Sequence, residues 1–117
     1  MSQYHSIYNI DRKEYISPSR LDSCNQLLSQ VGWPASTSTV LFLLLANSNN
    51  RGGGDAPFNK NIGRWAGDRI VVQGDYAYSS DKGFVDVVYG GEEKSGWTEI
   101  SDIAKDILST TMDKMNE

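Results

Sequence analysis

The chain has a single histidine, a single cysteine, three prolines and no apolar run longer than seven residues. Each scarcity excludes something. With His5 alone, a Ser-His-Asp arrangement or a transition-metal site would have to be built on one imidazole in the first strand, so catalysis by the common constellations is not expected. Cys24 cannot form an internal disulfide, and a reducing compartment is the simplest setting for it. The run at 40–46 is far short of the roughly twenty residues that a bilayer span needs. The polar start MSQYHSIYNIDRK has no h-region of the signal-peptide kind, so the expected location is the cytoplasm, away from membranes. Neither phosphate fingerprint is present, whether Gly-x-x-x-x-Gly-Lys-Ser/Thr or Gly-x-Gly-x-x-Gly.

A surplus of positive charge is also missing. The 117 residues carry a net charge of −4. Residues 1–50 hold three basic and three acidic groups, residues 51–75 four and three, and residues 76–117 four and nine. Non-specific nucleic-acid binding needs a basic face that displaces counterions, and this balance argues against it. An acidic C-terminal third fits a basic protein partner, or simply a well-solvated surface.

What is present is an ordinary globular composition, 38% hydrophobic with 10% aromatic residues, in a chain of one-domain size. Gln3 to Ile16 reads as a hairpin around the polar turn Asp11-Arg12-Lys13-Glu14. Leu21, Cys24, Leu27, Leu28 and Val31 recur at helical spacing and predict a helix over 19–31, with Cys24 a buried, inert thiol in its stripe. The run VLFLLLA is too short and uniform for periodicity to separate helix from strand; its leucines and the preceding Ser/Thr caps favour a buried helix ending near Asn47. RIVVQ at 69–73 and FVDVVY at 84–89 predict two strands paired antiparallel, with Gly74-Asp75 a bulge. The last helix has Ile100, Ile103, Ala104, Ile107, Leu108, Thr111, Met112 and Met115 on one face, with Thr98 or Ser101 as cap. The order β-β-α-α-β-β-α predicts a single α+β domain, an antiparallel sheet of about four strands with helices packed on one side.

Residues 51–76 gather six of the eleven glycines, four of the eleven basic residues, three acids and a tryptophan. Gly52, Gly53 and Gly54 in a row are costly to order, so they mark a mobile loop or one whose amides approach something closely. Arg51 and Asp55 flank them and could meet an anion or orient the loop. Gly63-Arg64-Trp65-Ala66-Gly67-Asp68-Arg69 has the composition of an interface anchor, since Trp and Arg dominate hot spots. The plainer reading makes Trp65 a core plug, with Asp68 pairing locally to Arg64 or Arg69. Asp55, Asp68 and Asp75 could suggest a hard-metal site, but alternation along the strand separates Asp68 from Asp75. No metal or cofactor is expected. The candidate binding residues are thus Arg51, Gly52, Gly53, Gly54, Asp55, Arg64, Trp65, Asp68, Arg69, Asp75 and Tyr76.

Gln3-Tyr4, Asn9-Ile10-Asp11-Arg12-Lys13-Glu14-Tyr15, RGGGD at 51–55, WAGDRI at 65–70, Gly74-Asp75-Tyr76 and Ile100-Ser101 together resemble a group of small bacterial or phage-type proteins. That group has a QYY-like start, an NLDK-EY-like hairpin and a late DIS-containing helix. This chain departs from it at Cys24-Asn25, where the group is richer in glycine. The resemblance implies a single domain with the central stretch as its hallmark, and it carries no activity. The function expected from the whole is a small, acidic, non-catalytic protein that occludes or adapts a macromolecular partner, as immunity or anti-defence inhibitors do. The alternative is a nucleotide- or phosphometabolite-binding protein using Arg51, the glycine amides, Arg64 and Arg69.

Overall fold

The computed structural model describes residues 3–21, 37–86 and 96–115. Its sheet grows from the N-terminal hairpin. Strand β1 (His5–Asn9) turns through Lys13, whose φ is +54°, into β2 (Glu14–Ile16), pairing Ile7 with Ile16 and Tyr8 with Tyr15. Alternation sends the two isoleucines to one face and the two tyrosines to the other. Strand β3 (Ile70–Gly74) lies antiparallel on the far side of β1, and β4 (Thr98–Glu99) lies parallel on the far side of β2, giving the order β3-β1-β2-β4. The fold is α+β, but the sheet is mixed where an all-antiparallel one was expected. The short β4 leads at once into the last helix, and Ile100 N–H donates to Tyr15 O while Ser17 N–H donates to the Ser101 hydroxyl. Those bonds fix β4 alongside β2 in the same direction.

Helix α1 (Thr37–Leu45) and helix α2 (Ser101–Met115) pack against the isoleucine face. Ile7, Ile16, Val40, Leu44, Trp65, Ala104 and Ile107 meet there in one core. Each large apolar side chain fully buried there contributes about 1.5–3 kcal/mol. The opposite face is covered by a smaller cluster in which Tyr8 stacks on Tyr15 at 5.9 Å, Trp97 meets Tyr8 edge-on at 5.7 Å, and Val85 packs beside them. The amphipathic reading of α2 holds at Ile100, Ala104, Ile107 and Leu108, all buried.

Several expectations are corrected. The 40–46 run is helical, with Thr37, Val40 and Leu44 buried and Leu41, Leu43 and Leu45 partly buried against the core, while Phe42 stands exposed, because a single helix packed on one side cannot bury its whole circumference. Gly74 is no bulge; it pairs in register with His5. Residues 84–86 form no strand. Val85 is instead held by the Gln73 side chain, whose amide accepts from Val85 N–H at 2.7 Å and donates to Val85 O at 2.8 Å. Among the described residues, β3 pairs with β1, and the rest of the expected 84–89 strand lies outside them. Thr98 belongs to β4 and the Ser101 hydroxyl serves Ser17, so neither acts as the expected cap. The helix expected from Ser19 begins as a 3-10 turn over Pro18–Arg20, with Leu21 extended; the remainder, Cys24 included, lies outside the described residues.

Candidate functional site

The polar turn of the hairpin and the central stretch close on each other in reverse order. Asp11 meets Arg69, accepting from its backbone N–H at 2.7 Å and from Nε and Nη2 at 3.0 and 2.8 Å. Arg12 Nε meets Asp68 at 3.0 Å, and Asn9 Nδ2 donates to the same carboxylate oxygen. Glu14 accepts from Arg64 Nε and Nη2 at 3.2 and 2.6 Å and from the Trp65 indole N–H at 2.8 Å. Lys13, the remaining turn residue, sits 5.3 Å from the Trp97 ring centre, a cation–π distance.

Trp65 is fully buried, so it cannot share an exposed binding surface with Arg51. It is a core plug with a satisfied N–H, the arrangement that buried indoles require. Asp68 pairs neither with Arg64 nor with Arg69 but across to Arg12 and Asn9. Burial pushes the Glu14 carboxyl up, but the hydrogen bonds from Arg64 and Trp65 and the charges of Arg64 and Arg12 outweigh it and hold the group below the usual glutamate range. Hydrogen bonds from the Arg69 side chain and backbone hold Asp11 low in the same way, and Glu14 and Asp11 raise their arginines in return.

The glycine loop is exposed throughout, and its anion position is already filled. Asp55 Oδ2 accepts from Arg51 N–H at 2.6 Å and Gly52 N–H at 3.0 Å, which draws its carboxyl below the ordinary aspartate range. Asn50 and Gly54 turn the chain with φ of +65° and +86°. A phosphate approaching those amides would have to displace a tethered carboxylate. Asp75 is likewise committed: it accepts from Tyr4 N–H at 3.0 Å, and its own N–H donates to Tyr4 O, extending the β1–β3 ladder. Asp55, Asp68 and Asp75 are therefore not brought together. Among the described residues no group of three His, Cys, Asp or Glu could hold a metal ion, and no helix is long and apolar enough to cross a membrane.

Beside an open groove of about 590 Å³ lined by Lys60, Asn61, Arg64, Asp102, Ile103 and Asp106, two further grooves lie among the described residues. The first, about 490 Å³, runs beside β3 and is lined by His5, Val72, Tyr76, Tyr78, Asp81 and Lys82 among others. Val72, Tyr76 and Tyr78 are exposed, as is Tyr4, which clasps Asp75 next to this segment. The His5 ring nitrogen Nδ1 is buried with no hydrogen-bond partner among the described residues. The second groove, about 440 Å³, lies between residues 46–51 and 58–66. Of the sequence candidates, Tyr76 falls in the first of these two grooves, Arg51 in the second and Arg64 in the groove beside Asp102 and Asp106. Tyr4, Val72, Tyr78, Phe58 and Lys60 were missed. No protein-family model matches the chain, and neither a curated protein nor a solved structure does.

Proposed function

We infer that the protein is a non-catalytic binding protein that works by covering a surface of a macromolecular partner, and that the partner is a basic protein. The observation that carries this reading is the patch formed by Val72, Tyr76 and Tyr78. Tyrosine supplies a large, rigid contact surface with a polar end, and it is enriched where interfaces concentrate their energy. Asp75 and Asp81 stand on the same segment against Lys82, so the rim is acidic, as a basic partner would need. The groups that would otherwise suggest chemistry, Glu14, Arg64, Asp68 and Arg69, are spent on joining the hairpin to the central stretch.

The test is affinity capture from the native host with the parent chain and a Tyr76→Ala/Tyr78→Ala variant in parallel. A partner held by the parent should be lost or weakened by about 2 kcal/mol or more in the variant, close to a thirtyfold change in Kd. Both rings are exposed, so the variant should melt at the parent's temperature. Equal retention of every captured protein by parent and variant would overturn the assignment of the patch.

A further inference from the structure

The second groove has a chemistry of its own and shares no lining residue with the tyrosine patch. Among the described residues, Arg12, Arg20, Arg64 and Arg69 are held by carboxylates and Lys13 sits against Trp97. Among the described residues Arg51 and Lys60 are in no ion pair, and both line this groove. Among the described residues its lining contains no acidic residue, in a chain whose net charge is −4, although Lys60 also borders the neighbouring groove that holds Asp102 and Asp106. A concave surface carrying one sign of charge concentrates counter-ions of the other. Phe58, 73% exposed, stands in the same lining, which Asn47 and Asn50 share.

The walls are fixed before any ligand arrives. Asn49 clamps Ala56 through two hydrogen bonds, donating to its carbonyl at 3.2 Å and accepting from its N–H at 3.0 Å. Asn59 donates to Asp106 and Thr110 on α2 and accepts from Asn61 N–H. At the floor, Gly63 N–H donates to Leu43 O at 3.0 Å, and a Cβ on Gly63 would stand 2.7 Å from Ala46 O, so only glycine lets the two walls meet there. Of the C-terminal carbonyls of α1, Leu43 O accepts from Gly63 and Ala46 N–H and Leu44 O from Trp65 N–H, which ties this end of the helix to the second wall. Preorganisation of this kind lowers the ordering cost of binding.

We propose that this groove binds a mononucleotide, with the base stacked on Phe58, its edge read by the Asn47 and Asn50 amides, and the phosphate held by Arg51 and Lys60. A base needs an aromatic face, planar amides offer paired donors and acceptors, and a phosphate needs cations. The groove's volume falls within the range of small-molecule sites, about 300–1,000 Å³. This is a different site from the glycine loop, whose amides Asp55 already occupies.

The experiment is a titration of isotopically labelled full chain with AMP, GMP, CMP and UMP at low ionic strength, followed through backbone amide shifts, with adenosine and inorganic phosphate as separate arms. At least one nucleotide should give saturable shifts at Asn47, Arg51, Phe58 and Lys60, with a lower Kd than adenosine or phosphate alone. Phe58→Ala should weaken that binding about fivefold or more, the lower end of what a base–aromatic stack is worth. Arg51→Ala and Lys60→Ala should each weaken it and flatten its salt dependence. All three side chains are exposed, so unchanged melting temperatures confirm that the variants are folded. Absence of shifts at these amides up to about 10 mM of every nucleotide, well above a typical metabolite affinity, overturns the proposal. Phosphate binding as tightly as the nucleotides, with Phe58→Ala without effect, overturns it as well.

Discussion

Glu14 keeps its charge in the interior because Arg64 and Trp65 supply three donors to its two oxygens. Removing the carboxylate leaves a half-buried guanidinium without its partner and a buried indole N–H without an acceptor, so Glu14→Ala should cost about 1–3 kcal/mol in urea unfolding, the scale of a buried donor left unsatisfied. The same geometry sets a pH dependence. Because the folded-state pKa lies below the unfolded one, near 4.3, the contribution is complete above that unfolded value and is lost as pH falls through the folded one. Stability measured on acidification below about pH 4.3 should decline less steeply in Glu14→Gln than in the parent, with Asp11 and Asp55 supplying the slope that remains. Identical slopes would mean that Glu14 does not titrate as this geometry requires. None of these pairings was legible in the sequence at residue scale. Glu14 and Arg64 are 50 positions apart, and charge alternation in Asp11-Arg12-Lys13-Glu14 names no partner until the hairpin has placed its turn beside residues 64–69.

Among the elements, α2 could be read directly because its apolar spacing is sustained over several turns and its buried face follows it. β4 could not, since two residues carry no periodicity and its pairing is set by Thr98 and Ile100 N–H donating to the carbonyls of Lys13 and Tyr15. The glycines divide in the same way. Gly52 and Gly53 lack positive φ and nothing lies within 4 Å of an added Cβ, whereas Gly63 has φ of +87° and meets Ala46 O. Gly53→Ala should therefore be neutral or stabilise by up to about 1 kcal/mol, through the unfolded chain. Gly63→Ala should destabilise by about 1–2 kcal/mol from its backbone alone, and by more as the wall shifts off Ala46. Thermal unfolding of the two variants side by side checks the contrast; the same loss in both would show that the 51–55 loop is as constrained as the 60–67 turn.

At the scale of the molecule, the sheet order β3-β1-β2-β4 places the N-terminal hairpin in the middle and takes both outer strands from the other side of the glycine loop. The sequence indicated four strands and one layer of helices, but not this interleaving. Alternation states which side chains share a face and leaves open which strands are neighbours. Cleavage between Gly52 and Gly53 would cut the chain at an exposed point and leave β1, β2 and α1 on one piece, with β3, β4 and α2 on the other. Neither piece retains a sheet of its own beyond a hairpin, and an isolated two-stranded hairpin is marginal in water. The nicked protein should elute from a sizing column as a single species of the parent's size, and its melting temperature should fall with dilution, which that of the uncut chain does not. Separation of the pieces under native conditions would show that the two ladders and the α1–α2 contact do not suffice to hold them. The interleaved order thus makes the fold a two-part lock: halves synthesised as independent chains are each incomplete and mutually complementary, and joining them would report that the molecules they are fused to have come within reach of one another.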